Sequence, residues 1–170
     1  MTVQGGRLRL RGLCNRVESF SETSMTDALS QDPKDYRFHT QVRVRLPETD
    51  AVGIVYFGNY SVYMDVGRMD YLNHLDLNRE DWPVKDLAPG AVVASHLNFH
   101  SPARYNDVID IHVKVANIGR SSYTFHALFT RGETPTVLAT GQLTLVWLDD
   151  GFKTIPIPDD FRNRIERFEA

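Results

Sequence analysis

Residues 46–75 read LPETDAVGIVYFGNYSVYMDVGRMDYLNHL, and their reading decides the fold. Pro47 stops the strand that precedes it, because it has no N–H to give to a ladder. Glu48, Thr49, Asp50, Ala51, Val52 and Gly53 follow as a turn rich in acidic and small residues. From Asn59 to Leu75 the pattern is helical, about 25 Å at 1.5 Å per residue. Tyr60, Tyr63, Val66 (or Gly67), Tyr71 and Leu75 recur at helical spacing, while Val62, Met64, Met69 and Leu72 put apolar groups on other sides. A helix apolar over so much of its circumference is expected to be enclosed rather than laid on a surface. Gly67 lowers helix propensity and leaves room for another segment to approach closely.

Outward from this helix the period changes to two. Phe38, Thr40, Val42, Val44 and Leu46 alternate with His39, Gln41, Arg43 and Arg45, which predicts a half-buried strand over 38–46. Residues 76–91 carry Asp76, Asn78, Asp81, Pro83, Pro89 and Gly90 and predict a loop. Strands are expected over 91–99, 108–118, 122–130 and 136–148, with turns at Gly119–Arg120–Ser121 and Thr134–Pro135. Asp149–Asp150–Gly151 predicts a hairpin into a short partner strand over 152–155. The tail, PDDFRNRIERFEA, has Phe161, Ile165 and Phe168 at i, i+4 and i+7 and predicts a closing helix. Strands joined by short turns pair as neighbours. The economical arrangement is α+β, with one curved antiparallel sheet wrapped around one long central helix.

A chain of 170 residues suits one domain with a sizeable core. Its net charge of −3 argues against a nucleic-acid binder or a polybasic membrane surface. The single cysteine, Cys14, allows no intrachain disulfide, and no Cys/His spacing suits a structural zinc. No apolar run approaches the roughly 18 residues of a membrane span. A reducing, cytoplasmic location is the expectation. Residues 1–34 differ in character: Arg7, Arg9, Arg11 and Arg16 lead, then Ser, Thr and acidic residues take over. RLRLRGL lacks the continuous apolar core of a signal sequence, and Glu18 and Glu22 count against a transit peptide. The expectation is a disordered extension, dispensable for folding, ahead of a domain over 35–170, with Met25 as an alternative start.

Several separated stretches carry a family resemblance. Residues 48–72, ETDAVGIVYFGNYSVYMDVGRMDYL, combine a TD-A-x-G-I-V-Y segment, an N-Y step, and an aromatic helix with an Arg before an acidic-Tyr-Leu step. FHSPARYNDVIDIHVKV, GRSSYTF and ATGQLTLVWLDDGFKTIPIP add matching segments downstream. Together they resemble the hotdog-fold acyl-CoA thioesterases of the 4-hydroxybenzoyl-CoA thioesterase and YbgC-like family, over 38–158. The resemblance implies a hotdog fold and a homodimer or homotetramer built by pairing sheet edges, with active sites at the subunit interface. It implies hydrolysis of an acyl-CoA or acyl-carrier thioester without metal or redox cofactor, CoA being part of the substrate.

Thioester hydrolysis needs a carboxylate, as nucleophile or as the base that activates water, and donors for the carbonyl oxygen as it gains charge. Its turn alone reads Asp50 as a residue that bonds local amides. Its place in the matched motif implies the catalytic carboxylate. Phe57 matches the position whose backbone N–H points at the thioester oxygen. Gly58 and Asn59 extend the same helix start, where unpaired amides carry partial positive charge. Some thioesterases of this fold place the carboxylate on the helix instead, for which Asp65, eight residues after Phe57, is the residue to consider; it is expected to have an accessory or substrate-contact role. Glu48 is expected to sit solvated at the strand end.

Tyr56, Asn59, Tyr60 and Tyr63 are expected either to line the acyl site or to pack the core, and sequence does not separate these. Arg104, and the turn of Arg120, Ser121 and Ser122, are candidates for the phosphates and adenine of CoA, weighed against plain surface residues. The six histidines are dispersed, with no HExxH and no Ser-His-Asp order; His100 is expected to be structural. Two other readings stay open. A hotdog hydratase or dehydratase needs a His paired with an acid, and a non-catalytic acyl-CoA binding module does not need Asp50.

Overall fold

The computed structural model describes residues 29–77, 90–149 and 151–170. In chain order it contains β1 (Phe38–Arg43), α1 (Asn59–His74), β2 (Ala91–Phe99), β3 (Val108–Ile118), β4 (Ser122–Arg131), β5 (Thr136–Val146) and α2 (Asp159–Glu169). The five strands form one antiparallel sheet in the order β1-β3-β4-β5-β2. Alternation sorts the two faces. Ile109, Ile111, Val113 and Val115 of β3 are buried toward α1, while Asp110, His112 and Lys114 face away. α1 lies along the apolar face, with Tyr60 edge-on to Phe129 and Tyr71 edge-on to Phe38 and Phe125. This is the hotdog arrangement that the sequence led us to expect.

Gly67 is where α1 comes closest to the sheet. A Cβ there would lie 2.7 Å from Ile111 Cγ2 and 2.9 Å from Val113 Cγ2. The helix is not enclosed all round, however. Tyr60, Tyr63, Met64, Gly67, Arg68, Tyr71 and Leu72 are buried, but Ser61, Val62 and Asp65 form an exposed stripe. The sheet covers only one side of a helix whose apolar residues occupy more than one. α1 closes with Asp76 at φ 54°, and Leu77 N–H donates to the Leu72 carbonyl at 2.8 Å, an end that satisfies its last carbonyls.

Several boundaries differ from expectation, among them β5, which ends at Val146 rather than residue 148. The first strand ends at Arg43 rather than residue 46, because Leu46–Glu48 coil into a 3-10 turn closed by Glu48 N–H on the Arg45 carbonyl. Residues 152–155 make no strand. Only Leu148 and Thr154 bridge, since Phe152 takes φ 58° and Asp149 Oδ1 accepts from the N–H groups of Gly151 and Lys153. Asp150 and residues 78–89 of the expected loop lie outside the described residues.

α2 forms as expected and packs Phe161 against Tyr123 and Trp147. Its Glu169 accepts from the Tyr71 hydroxyl at 2.6 Å and the Val115 N–H at 3.0 Å. On the polar face of the sheet, Tyr36 meets the His112 ring, with Lys114 Nζ 4.9 Å over the Tyr36 ring, and Tyr36 donates to the Ser30 carbonyl. The contacts of the folded part therefore reach N-terminal of the expected 34/35 boundary, while residues 1–28 lie outside the described residues. Among the described residues, no helix is long and apolar enough to cross a membrane.

Candidate active site

Register defines two ends of the sheet. Arg43 pairs with Val108, Arg131 with Thr136 and Phe99 with Ala139, so the segment 44–58, the loop 100–107 and the start of α1 gather at one end. The β3–β4 turn lies at the other.

At the first end the chain makes a compact loop. Thr49 and Val55 bridge, Asp50 N–H donates to the Ile54 carbonyl at 2.9 Å, and Gly53 N–H returns to the Asp50 carbonyl at 2.9 Å. Gly53 takes φ 79°, a conformation that glycine adopts without steric cost. Asp50 is half-buried, and its Oδ1 accepts from Val52 N–H at 2.8 Å. Among the described residues, its other oxygen has no hydrogen-bond partner. The loop is pinned to its neighbour by Val55 N–H on the carbonyl of buried Ala103, at 2.9 Å. Arg104 follows, with Nη1 3.9 Å from where a Cβ on Gly53 would be, so this guanidinium sits against the Asp50 turn.

The same loop runs into α1. Tyr56 N–H donates to the Glu48 carbonyl at 2.9 Å, and Asn59 N–H to the Tyr56 carbonyl at 2.9 Å. The Asn59 amide is therefore occupied. The N–H groups of Phe57 and Gly58 reach no acceptor among the described residues. The Tyr56 ring folds over Gly58, where a Cβ would meet Tyr56 Cε1 at 2.7 Å, and stands 4.5 Å from the Phe57 ring. Tyr56 and Phe57 are exposed. Tyr60 and Tyr63 belong to the core. Tyr60 packs on Phe99 and Phe129, and its burial pushes its hydroxyl up to about 12.

Glu48 is not solvated at a strand end; it is 7% exposed. Its Oε1 accepts from Arg45 Nε at 2.9 Å and Nη2 at 2.6 Å, and its Oε2 from Arg45 N–H at 2.7 Å and the Tyr63 hydroxyl at 2.8 Å. Burial alone would raise its pKa, but the bonds from Arg45 and Tyr63 together hold it below the ordinary carboxylate value. The same environment, burial first and then Glu48, raises the Tyr63 hydroxyl. Arg45 is a local partner three residues back, but no local signal announces Tyr63, which lies 15 residues away. Buried Arg68 was also not anticipated. It donates to Asp65 at 2.6 and 3.0 Å, and the Asp65 side chain is 57% exposed on the open stripe of α1.

Arg120, Ser121 and Ser122 are not brought to Asp50 within one chain. Their turn lies beyond the far end of β3, whose eleven residues span about 35 Å. The turn is well held: Ile157 N–H donates to the Arg120 carbonyl and Trp147 N–H to the Ser121 carbonyl, both at 2.8 Å, while Arg162 donates to the Ile118 and Gly119 carbonyls. His100 meets Thr140 at 3.3 Å, and among the described residues no histidine hydrogen-bonds a carboxylate. No group of three or more His, Cys, Asp or Glu able to hold a metal occurs among the described residues.

Known proteins are similar to this chain in sequence and fold. The chain is 25% identical over 112 residues to the acyl-CoA thioester hydrolase YbgC of Escherichia coli, covering 66% of this chain and 82% of that protein. It is 23% identical over 129 residues to the 4-hydroxybenzoyl-CoA thioesterase of a Pseudomonas species, covering 71% and 92%. A solved Thermus thermophilus thioesterase, complexed with coenzyme A and Zn, superposes with a TM-score of 0.69 at 25% identity, over 80% of this chain and 97% of that one. The family model described as Thioesterase superfamily matches residues 52–138, just over half of the chain, beginning shortly after Asp50. On that match the chain is a member of the Thioesterase superfamily, an enzyme of the thioester hydrolase class.

Proposed function

We propose that this enzyme hydrolyses an acyl-CoA thioester to the free acid and CoA, with Asp50 as the catalytic carboxylate and the N–H groups of Phe57 and Gly58 as oxyanion donors. The observation that carries the reading is one loop presenting both halves of the chemistry. Asp50 keeps one carboxylate oxygen without a partner, and the two amides at the head of α1 are unspent among the described residues. As a base, Asp50 takes a proton from water while the water oxygen adds to the carbonyl carbon; the C–S bond then breaks and the CoA thiolate leaves with a proton. As a nucleophile, Asp50 displaces the thiolate to form an anhydride that water opens. Either route builds charge on the carbonyl oxygen, where a preorganised donor in a dry site contributes about 2.7–4 kcal/mol. The reading assigns no resident metal or redox cofactor, since water and the chain's own groups complete the balance. The acyl-CoA substrate is supported by the names of the Escherichia coli and Pseudomonas relatives. A cytoplasmic setting is part of the reading, on the single cysteine.

A second copy completes the site in this reading. Val52, Tyr56, Phe57, Val62, Phe99 and Tyr105 are exposed apolar side chains, a grouping that suits an acyl group or a subunit interface. β2 is an edge strand. Antiparallel pairing of β2 with its copy reverses the second sheet, so its Arg120–Ser122 end comes alongside the Asp50 end of the first. That places Arg120, Ser121 and Ser122, with Arg104, at the CoA phosphates of a homodimer or of a tetramer built from two dimers. Asp65, on the open stripe of α1, is assigned an accessory role.

The test is thiol release across a panel of acyl-CoA and acyl-carrier thioesters. Asp50→Asn should lose roughly 10²–10⁴-fold in kcat, the range of a general base, and Asp65→Asn should lose less. The reverse ranking rejects the assignment, and binding without release in the parent favours the non-catalytic module.

A further inference from the structure

We propose that Glu48 is a positioning residue, which sets the distance between the Asp50 carboxylate and the amides of Phe57 and Gly58. The proposal rests on the catalytic reading above. Every polar group of Glu48 is used. Its N–H donates to the Arg45 carbonyl at 3.0 Å, its carbonyl accepts from Tyr56 N–H at 2.9 Å and Asn59 Nδ2 at 2.8 Å, and its carboxylate accepts from Arg45 and Tyr63. These bonds reach both ends of the catalytic loop. Asp50 lies two residues after Glu48. Tyr56 immediately precedes the Phe57 amide, and Asn59 immediately follows Gly58.

The carboxylate adds what the carbonyl alone lacks. Through the Tyr63 hydroxyl it ties the start of the loop to the body of α1, one helical turn past Asn59, and through Arg45 it ties it to the end of the first strand segment. Glu48 and Tyr63 are buried, whereas Asp50 and Phe57 are not, so this carboxylate–hydroxyl contact lies beneath the reacting groups, with exposed Arg45 closing over Glu48 from outside. A carboxylate that accepts four hydrogen bonds holds its neighbours more firmly than an amide, which has one acceptor oxygen. Glu48 touches no reacting atom in this scheme. It acts through the loop geometry, and misplacing a base and its oxyanion donors by about 1 Å costs on the order of 10²-fold in rate.

The experiment compares Glu48→Gln and Tyr63→Phe with the parent and with Asp50→Asn. It measures kcat per folded enzyme and the affinity for a non-hydrolysable thioether analogue of an acyl-CoA that the parent hydrolyses. Glu48→Gln should lower kcat on the order of 10²-fold, and Tyr63→Phe by a smaller factor, with analogue affinity within about twofold of the parent because ground-state binding is retained. A merely structural role would weaken analogue binding and kcat together, and that result overturns the proposal. So does parent-like kcat in Tyr63→Phe, which removes one hydroxyl and keeps the Arg45 bonds even if Glu48→Gln fails to fold. If Asp50→Asn retains turnover, the catalytic reading falls and this proposal with it. If Asp50→Asn is inactive while Glu48→Gln and Tyr63→Phe match the parent, only the Glu48 proposal falls.

Discussion

Glu48 and Asp50 are two carboxylates two positions apart with opposite surroundings. Glu48 is buried and accepts four hydrogen bonds; Asp50 is half-buried and spends one oxygen on its own turn. A buried, saturated acid is a fixture, whereas an acid with an open oxygen at a surface loop can meet a substrate. Titration separates other residues in the same way. Burial lowers the His112 pKa, His39 beside it lowers it further, and Asp110 opposes them. Burial and then Lys114 lower His126. Both imidazoles are thus favoured neutral in the folded state. Their stabilisation is complete above the unfolded value of about 6.5 and is lost as pH falls through the lower folded value, where the unfolded chain binds more protons. Urea midpoints should therefore drop between pH 7.5 and 5.5, and His112→Gln should reduce that drop. An equal drop in the variant would remove His112 as a cause.

Among the elements, α1 decides most. Its position depends on Gly67, because methyl groups of Ile111 and Val113 occupy the space a side chain would need. Gly67→Ala should cost about 1–3 kcal/mol through overpacking, which outweighs the helix-propensity gain of roughly 1 kcal/mol; a urea midpoint at or above the parent's would contradict this. The helix, the long strands and α2 were legible because their periodicities persist over many residues, although apolar Val62 of α1 and Val92, Val93 and Phe99 of β2 stay exposed. The loop 44–58 was less so. The alternation that began at Phe38 continues formally through Leu46, yet the chain coils at Leu46–Glu48 because Glu48 turns back to Arg45. The short strand over 152–155 shrank to a single bridge for a similar local reason, the Asp149 side chain taking the Lys153 amide while Asp149 N–H still donates to the Lys153 carbonyl and Ile155 N–H to that of Trp147.

At the scale of the molecule, the Asp50 end of the sheet is apolar and open, β2 is an edge, and Arg120–Ser122 stand at the far end of the same sheet. The two-fold assembly along β2 that we propose would answer all three. Val92 and Val93 are exposed on that strand, and lysines there oppose edge pairing. The Val92→Lys, Val93→Lys double variant should sediment as a monomer and lose most of its thiol release while keeping its circular dichroism. A variant that stays dimeric, or a monomer with parent turnover, would refute an active site shared across β2.

The sequence by itself determined the α+β architecture and the order and nature of the long elements, and its family resemblance supplied the candidate residues Asp50, Phe57 and Gly58. These depend on period, turn chemistry and a contiguous motif, all of which are local along the chain. Tertiary structure decided what lies in the ground between. It buried Glu48 under Tyr63, put Tyr60 and Tyr63 in the core, exposed Asp65 while burying its partner Arg68, and separated Arg120–Ser122 from Asp50. Burial at those positions follows from packing between residues distant in the chain, and an alternating or helical pattern carries no record of which distant hydroxyl will close on a given carboxylate.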